Sequence, residues 1–227
     1  MTDQLFVVAA SVGRVSRAVC RRGLMAIAIV LAGESAMAQT TASTGEVKAW
    51  SFSASAYAYF VPDDRNYVQP TVIADRGPLR LVARYNYEDF NTGSLWMGWN
   101  FSMGEELVLE FAPLAGVVFG NTKGIAPGYM ASLGWRELEL YSESEYVFDT
   151  DSSSDSFFYN WSELTLAPAE WFRFGVVMQR TQAYESEREI QRGVLAGGSY
   201  RSVDLSAYVF NPDDDRPTVV LALGLEL

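Results

Sequence analysis

The chain contains no histidine in its 227 residues and a single cysteine, Cys20. Without histidine, Ser-His-Asp hydrolases, histidine-dependent acyl transfer and most zinc sites are excluded in their usual form. Cys20 lies in an N-terminal leader, so the body of the chain has no disulfide and must hold together by packing and hydrogen bonding. Beyond residue 38 no run of 18 apolar residues occurs, which excludes a helical membrane protein. Bases are scarce as well, with 17 Lys and Arg against 28 Asp and Glu, and a chain of that sign repels nucleic acid. Helical periodicity appears nowhere convincingly.

What is present begins with the leader. Arg14, Arg17, Arg21 and Arg22 precede an apolar stretch from Leu24 to Ala32, and Ala36-Met37-Ala38 supplies small residues for cleavage before Gln39. This layout predicts a secretory signal peptide over 1–38. Cys20 stands ahead of the apolar stretch, where no lipoprotein cysteine would be. Four bases and two acids (Asp3, Glu34) leave with the leader, so the remainder carries 13 basic against 26 acidic groups, a net of −13. Residues 39–49 are small and polar and read as an exposed tail, with one domain over 50–227.

That domain alternates. In 79–88 the odd positions Leu79, Leu81, Ala83, Tyr85 and Tyr87 are apolar, while Arg80, Arg84, Asn86 and Glu88 share the even face with Val82. After a short polar turn, Leu95, Met97, Trp99 and Phe101 again oppose Ser94, Gly98, Asn100 and Ser102. Period two puts successive side chains on opposite faces of a strand, so this is a β-hairpin with one apolar face. Twelve such segments follow in order: 50–61, 67–74, 79–88, 94–102, 106–119, 127–135, 138–148, 157–166, 172–182, 190–199, 203–210 and 218–227. Pro70 and Pro113 fall inside two of them, and proline is more comfortable at a bulge or strand end, so ten strands is the alternative count.

The connections alternate too. PDDRN, EDFNTG, FGNTKGIA, DTDSSSDS, YESERE and NPDDDR are longer and mostly acidic, whereas DRGP, MGE, RE, APAEW and YR are tight. In an up-and-down antiparallel sheet every second connection lies at the same end, so one end is long-looped and acidic. Aromatic residues sort by end. Phe60, Tyr85, Tyr87, Phe119, Tyr129, Tyr146, Phe148, Phe157, Tyr159, Tyr208 and Phe210 fall near the long loops, and Trp50, Trp99, Phe101, Trp135, Trp171, Phe172, Phe174 and Tyr200 near the short turns. Mid-strand outward positions are Ala, Leu, Val and Met. Two aromatic belts around an aliphatic band are what a bilayer imposes on a barrel.

On these features the chain resembles a bacterial, Gram-negative outer-membrane β-barrel. The resemblance implies a transmembrane antiparallel up-and-down β-barrel of 12 strands, exported to the outer membrane and folded by the barrel-assembly machinery. The last segment, TVVLALGLEL, is similar to that family's C-terminal assembly strand, but ends on Leu227 where the family usually has an aromatic residue.

Carrying the parity through, Arg80, Arg84, Glu110, Glu139, Tyr141, Glu143, Glu145, Arg173 and Asp204 are expected to line the lumen. In 157–166 the parity is ambiguous, because Glu163 shares a face with Tyr159 and Trp161, which points to a bulge or a misassigned face. Two readings stay open. In one, the protein is a passive, modestly cation-selective, porin-like channel for small solutes. In the other, the arginines pair with the glutamates and plug a structural or interaction barrel, whose acidic loops meet divalent ions, lipopolysaccharide or a partner. Asp149, Asp151 and Asp155 have the oxygen spacing of a calcium loop but lack its glycine and distal glutamate, and Asp213, Asp214 and Asp215 could join them at the same end. Glu143 and Glu145 stand roughly 6 to 7 Å apart along one strand face, a spacing any acidic strand produces, so no catalytic residue, enzyme activity or cofactor is implied.

Overall fold

Every backbone donor and acceptor that crosses a hydrocarbon layer must be satisfied within the protein, and a closed ring of strands does this without helices. The structure is a computed structural model that describes residues 49–151, 155–183 and 189–227. The expected signal peptide over 1–38 and most of the tail lie outside the described residues. The strands are β1 (Ser51–Phe60), β2 (Tyr67–Arg76), β3 (Leu79–Tyr85), β4 (Thr92–Trp99), β5 (Phe101–Met103), β6 (Leu107–Gly120) and β7 (Gly124–Trp135). They continue as β8 (Leu138–Asp149), β9 (Phe157–Ala169), β10 (Phe172–Ala183), β11 (Glu189–Tyr200), β12 (Val203–Phe210) and β13 (Thr218–Glu226).

Each strand pairs antiparallel with its neighbours in sequence, and β13 pairs with β1, so the sheet closes. β4 and β5 both pair with β6 and are two parts of one staved strand, which makes the barrel 12-stranded. The interruption has a chemical cause. Gly98 pairs with Leu114 and Phe101 with Phe111, so the gap stands opposite Ala112-Pro113, and proline has no N–H to offer the ladder. Asn100 instead donates its backbone N–H to the Pro78 carbonyl at 2.6 Å. Pro70 and Pro113 both point outward within strands rather than ending them, so the ten-strand alternative falls away.

Burial alternates along much of each stave. Leu81, Leu95, Met97, Val117, Val176, Met178, Leu205 and Leu221 are exposed on the outside, while Val82, Trp96, Val118, Val177 and Val220 are buried within. The outer aliphatic band is flanked at the short-turn end by Trp50, Trp99, Phe101, Trp135, Trp171 and Tyr200, all exposed.

Several expectations need correction. At the long-loop end only part of the aromatic set faces outward: Phe60, Tyr85, Phe119 and Phe148 do, whereas Tyr87, Phe157, Tyr159, Tyr208 and Phe210 are buried inside. Tyr87 departs because β3 ends at Tyr85 and Asn86 adopts a positive φ of 54°, which breaks the alternation and turns the next residues inward. No bulge occurs across 157–166: the register with β8 runs unbroken, and Tyr159, Trp161 and Glu163 all face the lumen. The register shift lies instead between Phe172 and Phe174. Finally, β6 ends one residue later than expected, at Gly120, and β7 begins three residues earlier, at Gly124, so the FGNTKGIA connection shrinks to residues 121–123.

Candidate functional site

The lumen carries the chemistry, because strand parity delivers the polar side chains there and nowhere else as densely. Two arginine-centred clusters sit at different depths. Arg84, near the long-loop end of β3, is buried and donates to Glu145 Oε2 at 2.9 Å, with Glu143 Oε2 at 3.7 Å. β3 and β8 stand four staves apart in the ring of twelve, so this bridge is a chord across part of the lumen. The guanidinium lies 4.0 Å from the Tyr87 ring centroid and 5.1 Å from that of Trp96, a cation between two π faces. Glu143 also accepts from the Tyr141 hydroxyl at 2.7 Å and from Tyr87. Trp96 lies flat over Gly116, where a Cβ would fall 2.4 Å from the indole, so only glycine admits the ring that backs Arg84.

Loop residues complete this cluster. Glu88 follows Tyr87 inward and is fully buried among Arg84, Ser94 and Trp96. Burial pushes its carboxyl above the ordinary carboxylate value, against the pull of Arg84. The cluster therefore sets Glu88, Glu143 and Glu145 against one guanidinium. Counting places Glu88 on the even face with Arg80 and Arg84, but it also opens the acidic connection after β3, which reads as a surface loop.

The second cluster is lower and on the other wall. Arg173 of β10 donates to Glu163 at 3.1 Å, to Ser206 at 2.8 Å and to Asp204 at 3.4 Å. Glu163 accepts in addition from Trp161 Nε1 at 2.9 Å and from the Tyr208 hydroxyl at 3.0 Å. Between the clusters the rings meet: Trp161 lies 5.4 Å from Phe210, 5.5 Å from Tyr208 and 6.4 Å edge-on from Tyr57 on the far wall. Side chains from facing strands thus touch through the mid-lumen.

The other expected lumen residues sit near the short-turn end. Arg80 makes a fork to Asp75, both bonds 2.9 Å, and Asn100 donates to the same carboxylate. Glu110 accepts from Ser132 at 3.3 Å. Glu139, Asp204 and Arg173 line an aqueous cavity of about 440 Å³ that opens at that end. Sequence reasoning left Glu88, Trp161 and Glu163 out of the lumen set, although for Glu163 the parity was visible and only the aromatic company argued against it.

The acidic loops do not converge. Asp149 Oδ1 accepts the Asp151 backbone N–H at 2.8 Å, Asp151 pairs with Lys123 at 2.9 Å, and Asp213 pairs with Arg192 at 2.9 Å. A backbone hydrogen bond, and after it Arg192 beside it, hold the Asp213 carboxyl below its ordinary range. Among the described residues no group of three acidic side chains could hold a metal ion, and residues 152–154 lie outside them.

No protein-family model matches the sequence, and no curated protein matches it. Solved structures do. A structure titled KdgM porin is similar at a TM-score of 0.55 and 7% identity, covering 77% of this chain and 99% of that one. Two Pseudomonas aeruginosa structures, OpdQ and OccK5 (OpdH), have TM-scores of 0.43 and 0.42 at 9% and 8% identity. They are covered over 59% and 69% of their own lengths, and cover 74% and 81% of this chain. In fold, then, the chain is a closed antiparallel β-barrel of 12 strands, similar to the barrel of the KdgM porin structure.

Proposed function

We propose that the protein resides in a bacterial outer membrane and passes small solutes through a narrow, gated lumen with a modest preference for cations. The observation that carries this reading is a cavity of about 440 Å³ that opens at the short-turn end and is lined by charged and hydroxyl side chains, Glu139, Thr165, Arg173 and Asp204 among them. Polar networks are costly to bury in a merely structural core, and here they stand where a passage would run. The cation preference rests on sign: Glu139, Glu143, Glu145, Glu163 and Asp204 face the lumen against Arg80, Arg84 and Arg173. In such barrels the short turns face the periplasm and the longer loops the exterior, so the outer leaflet and its lipopolysaccharide would meet the acidic loops. A planar bilayer holding the purified protein should show discrete conductance, with a reversal potential displaced toward that of the cation. An inserted, folded and silent protein overturns the reading.

A second reading is favoured by one observation. The Arg84 to Glu145 chord and the Tyr57 to Trp161 contact cross the lumen, so a permanently closed barrel with a structural or interaction role would have this interior. That reading expects silence both in the natural sequence and in Arg84→Ala, whereas a gated channel should conduct more once the chord is cut.

A further inference from the structure

The outer wall of the barrel is not uniformly apolar. Along the described strands the outward parity carries serine or asparagine only on β8 (Ser142, Ser144) and β9 (Asn160, Ser162). These side chains are bonded to one another. Ser162 Oγ donates to Asn160 Oδ1 at 3.1 Å, Asn160 Nδ2 donates to Ser142 Oγ at 3.2 Å, and the two serine hydroxyls lie 3.1 Å apart, which closes a three-membered ring. Asn160 also donates to the Glu143 carbonyl at 3.0 Å, and the Tyr129 hydroxyl of β7 reaches Ser142 at 3.4 Å. The ring stands inside the lipid-facing band. Leu140 pairs with Leu164 on its short-turn side, and Tyr146 with Phe158 on its long-loop side. Arg180, the neighbour of Asn160 in register, marks the edge with its guanidinium 5.4 Å from the Phe158 ring centroid.

Acyl chains offer such a ring neither donors nor acceptors, so a polar partner at this depth has to be another membrane protein. The ring spends its protons within the chain but not its acceptor capacity: Asn160 Oδ1 takes one hydrogen bond of the two it can accept. A hydroxyl is donor and acceptor at once and rotates freely between them. Two identical rings set face to face can therefore exchange inner for outer partners with no group left unpaired, and a two-fold contact brings like patch to like patch. The patch is also low. Ala131, Ser142 and Ser162 are neighbours in register, so three small side chains make one row, and small residues let facing walls approach closely in lipid. On the β10 side the row runs into a shallow groove of about 460 Å³ that Ser162 also lines. We infer that the outer face of β7, β8 and β9 is a docking surface for a second copy of this chain, joined through the Ser142, Asn160 and Ser162 ring. The inference needs a membrane-embedded barrel, as the channel reading does, but it does not need conductance.

Beyond residue 38 the chain has no cysteine, so an introduced one reports its own surroundings. The folded protein carrying Ser142→Cys, in phospholipid vesicles, should be bridged into dimers by a short bismaleimide. Ala56→Cys, outward on β1 and six staves away around the ring, should not be. In sedimentation equilibrium in a density-matched detergent, the natural sequence should show a monomer–dimer equilibrium. Ser142→Leu with Asn160→Leu should weaken it at least about tenfold, because the ring and its low profile are both lost, while Ala56→Leu should leave it unchanged. Both double and control variants place an apolar side chain toward lipid, so heat-modifiable electrophoretic mobility should still report a folded barrel, and the bridging result stands without them. Bridging at neither cysteine, equal bridging at both, bridging of Ser142→Cys in cell envelopes only to a different protein, or association indifferent to the leucine pair would each overturn the inference. A silent bilayer with intact dimers removes the channel and keeps the docking surface, whereas a conducting monomer does the reverse.

Discussion

Arg84 and Arg173 face one lumen from opposite walls, and their surroundings differ in a way that separates a seal from a floor. Around Arg84 the charges are crowded and dry: Glu88, Glu143 and Glu145 share one guanidinium, two aromatic faces cover it, and a loop folds inward to finish the enclosure. Around Arg173 the acids are fewer and better supplied, since Glu163 keeps donors from Trp161 and Tyr208 and Asp204 is reached by Ser199 and Ser206. One side of that cluster also opens on the cavity. Depth in the barrel alone does not explain this. The long-loop end has enough chain between β3 and β4 to send Tyr87 and Glu88 down into the lumen, and the short turns at the other end have none to spare.

Substitutions at the two arginines should therefore be unequal. Arg84→Ala leaves three buried carboxylates without their base, and removal of one partner of a buried ion pair typically costs about 3–5 kcal/mol. The loss should be seen in urea unfolding from lipid vesicles, together with a rise in conductance. Arg173→Ala should cost less, about 1–3 kcal/mol, because its carboxylates retain other donors. Equal costs, or the opposite order, would break the distinction between seal and floor.

The smallest effect concerns pH. Burial raises the Glu88 carboxyl above its ordinary value, so the folded protein holds a proton that the unfolded chain releases. The associated stability is full below the unfolded value of about 4.3 and is lost as pH rises through the raised folded value. As pH rises from about 4, the natural sequence should therefore lose stability that Glu88→Gln keeps. Identical pH profiles for the two would show that Glu88 is not part of the dry cluster.

How much of this was legible beforehand differs by element. Arg80, Arg84, Glu139, Glu143, Glu145, Arg173 and Asp204 could be placed on one face by counting alone, because a pleated strand has a period of two and the bilayer tolerates only apolar side chains on the other. Tyr87 could not, since the count stops being valid once Asn86 leaves the strand conformation, and Glu88, counted onto the same even face as Arg84, reaches the lumen through the loop turn rather than through strand parity. Trp161 and Glu163 shared a face by parity, and an indole beside a carboxylate left that face unassigned; both sit inside, with the indole N–H on the carboxylate. The Pro113 break had the right residue and the wrong strand, as the gap falls in the partner that lacks a donor to pair with.

The sequence by itself determined the closed, alternating barrel, its two unlike ends and the sign of its interior, because periodicity, turn chemistry and charge are local properties that every strand states for itself. Only the tertiary structure decided which charges meet. Arg84 reaches Glu145 although 61 residues separate them, and Tyr57 reaches Trp161 from the far wall. Such chords depend on shear, stave number and one inward loop, none of which any single strand encodes.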